Sequence, residues 1–111
     1  MNEREGCALL KARFAAAGLD VVEHVRLSED GIDVTLDGFD AARRIGYEYI
    51  TTSAGDRAEF TPAAVAALEA KMARGELYVL LLDEHALPDA ELLTRAADGF
   101  LTELARRGRL P

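Results

Sequence analysis

Residues 31–51 read GIDVTLDGFDAARRIGYEYIT, and the alternation inside that stretch decides the fold. Ile32, Val34 and Leu36 point one way while Asp33, Thr35 and Asp37 point the other, the period of two that marks a strand with one wet face, and the pattern closes at Asp37-Gly38. After Phe39-Asp40-Ala41-Ala42, residues 43–52 are rich in β-branched and aromatic types, with Tyr47 and Tyr49 on one side and Gly46, Glu48 and Ile50 on the other. The stretch therefore predicts two adjacent antiparallel strands, the second central in its sheet.

Upstream, Cys7, Leu10, Phe14 and Ala17 recur at helical spacing over residues 2–17, and Gly18 stops the helix. Leu19, Val21, Val25 and Leu27 then alternate with polar residues as a first strand, interrupted at Glu23 and ended by the turn formers Ser28-Glu29-Asp30-Gly31. Downstream of a loop at Ser53–Arg57, Thr61 is placed to cap a helix with Pro62 in its first turn, Val65, Leu68 and Met72 as its stripe and Gly75 as its stop. Residues 77–82, LYVLLL, are too few for a helix and fit a strand covered on both faces, parallel to the strand it follows through a helical crossover. Pro88-Asp89 opens a last helix with Leu93, Ala97, Phe100 and Leu104 inward, Arg106 and Arg107 at its C-terminal dipole and Gly108 beyond. The expected architecture is one α/β domain over residues 1–111 with a mixed sheet. Its order is α-β-β-β-α-β-α: an antiparallel three-strand meander plus a fourth, parallel strand, with helices covering the sheet.

The chain carries 13 Lys and Arg against 20 Asp and Glu, a formal charge of −7. Between Ser28 and Phe60 eight acids (Glu29, Asp30, Asp33, Asp37, Asp40, Glu48, Asp56, Glu59) face only Arg43, Arg44 and Arg57. Such a segment repels phosphate, so a nucleic-acid partner is not expected. The single cysteine, Cys7, excludes an internal disulfide and shares the helical stripe of Leu10 and Phe14, which reads as a small core residue. Glu3, Arg4, Glu5, Lys11 and Arg13 break any leader-like apolar run, so a cytoplasmic, non-membrane protein is expected.

Asp33 and Glu48 are the one constellation that suggests chemistry. If they sit opposite one another, Thr35 faces Gly46 and Asp37 faces Arg44, and two carboxylates lie side by side. That is unfavourable unless one is protonated, an arginine intervenes or a cation binds between them. A tight turn at Asp37–Asp40 would instead bring Asp33 near Arg44, and the two registers stand equally on sequence.

An acid on strand two and another on strand three, in the order helix, three strands, helix, strand, resembles the restriction-endonuclease-like, PD-(D/E)XK, superfamily over roughly residues 2–82. The resemblance implies that Asp33 and Glu48 are catalytic and hold Mg²⁺. The motif lysine two positions after the glutamate is Ile50 here, and Gly31-Ile32 replaces the proline step. The resemblance is thus to a member lacking its motif lysine, in which Arg43, Arg44 or Lys71 would have to supply a displaced cation, although the stripe of the second helix does not point Lys71 inward. Asp83-Glu84-His85, His24 and the aromatics Phe39, Tyr47, Tyr49 and Phe60 read as a polar loop, a strand surface residue and core packing.

Two function classes follow. The first is a non-catalytic binding or regulatory module on a nuclease-like fold, possessing a protein partner of inhibitor or immunity type and needing no cofactor. The second is a Mg²⁺-dependent nuclease or phosphodiesterase built on Asp33 and Glu48.

Overall fold

Asn2 starts the first helix, its Oδ1 accepting the Glu5 N–H at 2.9 Å, and α1 runs Glu3–Ala16. The computed structural model describes residues 1–111. After α1 come β1 (Val22–Glu29), β2 (Ile32–Asp40), β3 (Ile45–Ile50), a one-turn helix α2 (Asp56–Glu59), α3 (Pro62–Ala73), β4 (Tyr78–Asp83) and α4 (Ala90–Arg106). The expected α/β order is therefore present, with α2 added inside the loop before α3. Thr61 and Asp89 cap α3 and α4 by accepting the Ala64 and Leu92 N–H groups.

The four strands lie in the order β1-β2-β3-β4, with β1, β2 and β3 antiparallel and β4 parallel to β3. Each face of the sheet has its own core. Leu10 and Phe14 of α1 and Leu93, Ala97 and Leu104 of α4 pack with Ile45, Tyr47 and Tyr49 on one face. On the other, Leu68 of α3 packs with Ile32, Val34, Leu36, Phe39, Ile50 and Val79. At about 1.5–3 kcal/mol for each fully buried large side chain, these two layers supply most of the driving force for folding. No helix is long and apolar enough to cross a membrane.

Two local expectations are corrected. β1 begins at Val22 rather than Leu19, because Leu19 is drawn into the α1/α4 core and the Asp20 N–H is held by Asp40 at 2.9 Å. Lys71 points inward with only 3% of its side chain exposed, its Nζ 2.8 Å from Glu29 and also bonded to Asp30. It anchors the β1–β2 turn from beneath, which the α3 stripe alone does not reveal.

The β2–β3 pairing decides what the site can be. Gly38 pairs with Tyr47, Phe39 with Gly46 and Asp40 with Ile45, and there the ladder stops. Each pair laid across this register that contains a glycine sets an aromatic ring over it, which fixes the alignment. Asp37, not Asp33, is thus carried across from Glu48.

Candidate functional site: a carboxyl wedge between two strands

Beyond Gly38 and Tyr47 the strands β2 and β3 diverge, and side chains replace the missing ladder. On β2 the Asp37 N–H donates to Glu48 Oε1 at 2.9 Å and the Thr35 N–H donates to Glu59. On β3 the Tyr49 N–H donates to Asp37 Oδ2 at 2.8 Å, and just past the strand's end the Thr51 N–H donates to Asp56 Oδ2 at 3.0 Å. Four carboxyl groups thereby satisfy four backbone donors that a closed sheet would have paired with carbonyls. Much of the acidity of residues 28–60 is accounted for by this wedge.

Asp33, the first of the two residues singled out on sequence, lies outside it. Its carboxylate forks onto Arg26 of β1, with both oxygens 2.8 Å from the guanidinium, on an exposed patch of the sheet. It sits four residues before Asp37, roughly 13 Å along the strand. Asp33 and Glu48 are not brought together, and the register that paired them is replaced by one shifted four residues. They therefore do not fit a shared Mg²⁺ ion. Because the Arg26 pair is solvent-exposed, Asp33→Asn is expected to move the thermal midpoint no more than an ordinary surface substitution. A shift as large as that of a core truncation would show that Asp33 does more than pair with Arg26.

Glu48 has no exposed surface. Burial, then the neighbouring Asp37 and Asp56 carboxylates, push its pKa up to about 10, so it is protonated at neutral pH. Its carboxyl shares a hydrogen bond with that of Asp37, and Oε2 receives no N–H or hydroxyl donor. Asp37 is itself pushed up by burial, against the Tyr49 N–H that favours its charged form. Ile50, in the position of the motif lysine, is core, 9% exposed.

The wedge opens beneath α1 into a pocket of about 420 Å³ lined by Glu3, Arg4, Cys7, Ala8, Glu23, His24 and Asp37. The Cys7 sulfur lies within 4.8 Å of an Asp37 carboxylate oxygen, and burial followed by the Asp37 charge pushes the thiol well above its ordinary range. Glu3 is raised by burial and by Asp37 and Asp56. At the rim, His24 stands across β1–β2 from Asp37, at φ 54°, in the one interior position where those strands are not paired. A left-handed non-glycine residue costs about 1–2 kcal/mol, here turning His24 toward the pocket mouth.

The expected displaced cations are engaged elsewhere. Arg44 is forked to Glu29 at 2.7–2.8 Å, Lys71 to Glu29 and Asp30, and Arg57 to Asp83. Arg43 pairs with Asp40 at 3.8 Å. No family model, curated protein or solved structure matches the chain. The site therefore has to be read from its own chemistry.

Sequence reasoning missed Asp37 and Asp56 as neighbours of Glu48, Glu59 as the acceptor for the Thr35 N–H, and Glu3 as part of the pocket lining. A signal for Asp37 was present in the two dipeptides Gly38-Phe39 and Gly46-Tyr47. Laid antiparallel, each places an aromatic ring over a glycine, and that alignment puts Asp37 beside Glu48. Glu3 and Cys7 carried no comparable signal, since the packing of α1 over the wedge is set by tertiary contacts.

Proposed function

We propose that the chain is a non-catalytic binding module on a nuclease-like fold, whose surplus carboxylates engage a positively charged protein surface. The supporting observation is how the charges are paired. Every lysine and arginine except Arg4 and Arg109 stands within 4.0 Å of a carboxylate of the same chain. The net charge of −7 is therefore carried by carboxylates such as Glu5, Asp20 and Glu69 that have no cation beside them. Charge of one sign at a surface speeds encounter with the opposite sign and repels nucleic acid.

Affinity capture from native lysate tests this reading. A stoichiometric partner should be recovered, released by raised salt, and lost when Glu5 and Asp20, both exposed, are reversed to lysine. Failure to recover a partner, or capture indifferent to salt and to charge reversal, would sink the proposal.

A second reading, a metal-dependent phosphodiesterase, is favoured by the pairing of the Asp37 and Glu48 carboxyls and by Arg4, which lines the pocket without a carboxylate partner. It would run through Asp37, not Asp33. Incubation with single- and double-stranded DNA and RNA in Mg²⁺ or Mn²⁺ separates the two. Cleavage abolished by Asp37→Asn would establish the enzyme and displace the binding reading.

A further inference from the structure

We propose that the β4 edge is a self-association surface, on which a second copy of this chain adds its own β4 antiparallel about a two-fold axis at Leu81. The strand order leaves β4 at one margin of the sheet and β1 at the other. β1 discourages strand addition, because it carries Glu23, Arg26 and Glu29 and its backbone turns left-handed at His24. β4 has none of these features. From Tyr78 to Leu82 it bears no charge, no proline and no residue of positive φ.

The hydrogen-bond phase shows what this edge offers. The Tyr78 N–H donates to the Arg44 carbonyl at 2.9 Å and the Glu84 N–H to the Ile50 carbonyl at 3.1 Å. In a parallel ladder, residues that bond the neighbour alternate with residues that face away, so the N–H and C=O groups of Val79, Leu81 and Asp83 are directed out of the sheet. The Val79 N–H meets only the Met72 sulfur, at 3.4 Å, a weak acceptor. Apolar surface flanks this row. A hollow of about 320 Å³ lined by Met72, Tyr78, Phe100 and Leu104 lies at one end of the strand, and one of about 410 Å³ lined by Phe60, Val65 and Leu81 lies toward the other. The partly buried Leu80 and Leu81 stand at the margin of the two cores, one on each face.

Charge decides the occupant. At the Tyr78 end, Arg107 and Arg109 stand over the Tyr78 ring, 6.0 and 5.5 Å from its centre, and only Arg107 has a carboxylate partner, Glu103. At the other end Asp83 and Glu84 share the single cation Arg57. One end therefore has a surplus cation and the other a surplus anion. Edge-to-edge pairing about a two-fold axis is antiparallel and lays each end on the opposite end of the second copy, so the strand carries its own complement. Centred on Leu81, the pairing uses all three outward residues. Leu81 exchanges both bonds with its copy, and each Asp83 N–H reaches the other chain's Val79 carbonyl. The Asp83 carbonyl stays with the Ala86 and Leu87 N–H groups.

Sedimentation equilibrium of the full chain, from micromolar concentration to about 1 mM, should follow a monomer–dimer equilibrium ending at twice the 12.0 kDa of one chain. Over the same range the Leu81 and Asp83 amides should pass from fast to protected hydrogen exchange. Leu81→Pro deletes an outward N–H and no bond to β3, and it should weaken dimerisation by at least about 10-fold. Arg109→Glu, at an exposed side chain, should weaken it by at least about 3-fold at low salt. A chain that stays monomeric throughout overturns the proposal, as does a dimer whose Leu81 amide stays unprotected or whose affinity neither variant changes. If Leu81→Pro does not fold, the wild-type exchange and Arg109→Glu decide. Protection of the Leu81 amide only on adding a different protein would give the edge to a foreign strand and overturn the proposal too. A dimer without partner capture, or the reverse, separates this edge from the binding function proposed above.

Discussion

In metal-free protein, Glu48→Gln is expected to stabilise the fold at pH 8 by about 2 kcal/mol, raising the thermal midpoint by roughly 8–12 °C, and to lose that advantage below about pH 4.5. The folded-state pKa of Glu48 is raised to about 10 from an ordinary carboxyl value of 4.5, chiefly by burial. For a carboxyl whose pKa is raised, the native state holds a proton that the unfolded state has released. Stability is therefore greatest below the unfolded pKa and falls as pH climbs toward 10. The full window would penalise the fold by several kcal/mol, and local opening and water entry reduce that to about 2. Glutamine keeps the shape, still accepts the Asp37 N–H at Oε1 and donates an amide N–H to the Asp37 carboxylate, without a proton to lose. Urea denaturation of both proteins from pH 4 to pH 9 measures the difference. A pH-independent effect, or a destabilised glutamine variant at pH 8, would show that Glu48 is ionised in the native chain and has a counter-cation.

Such a result would place Glu48 among residues kept at the expense of stability, a common mark of a functional position.

The order of elements was legible because local signals punctuate it. Gly18, Gly75 and Gly108 lie beyond the ends of α1, α3 and α4, Thr61 and Asp89 cap helix starts, and LYVLLL has no polar face. The α2 turn was not legible. Its Gly55 cap offers no side chain, its Asp56 turns back to the Thr51 N–H just past β3, and its Glu59 is turned to the Thr35 N–H of β2, remote in sequence. The candidate site was only half legible for a related reason. Glu48 could be recognised as an acid on a central strand, but its partner depends on register, and a shift of four residues preserves every inside–outside assignment while exchanging Asp33 for Asp37. Alternation of polar and apolar residues cannot detect an even-numbered slip. Only close packing of Gly38 with Tyr47 and of Gly46 with Phe39 excludes it.

That packing supports the second large expectation: Gly46→Ala should destabilise the chain by about 3 kcal/mol or more, a large share of the 5–15 kcal/mol that holds a domain together. A Cβ at Gly46 would stand 2.4 Å from the Gly38 carbonyl oxygen, 2.7 Å from the Phe39 ring and 3.1 Å from Phe39 Cα. Two of those three neighbours are backbone of β2, so relief requires moving the strand, and β2 is held on its other side by seven pairs to β1. The strands would separate at their closest approach, and the wedge that positions Asp37 against Glu48 would lose its hinge. Gly99→Ala supplies the control, since a Cβ there meets nothing within 4 Å and lies inside α4, where alanine gains about 0.5–1 kcal/mol over glycine. Denaturant midpoints for the two variants should move in opposite directions. A loss below about 1 kcal/mol at Gly46 would mean that Phe39 does not lie across it, and the register that joins Asp37 to Glu48 would have to be given up.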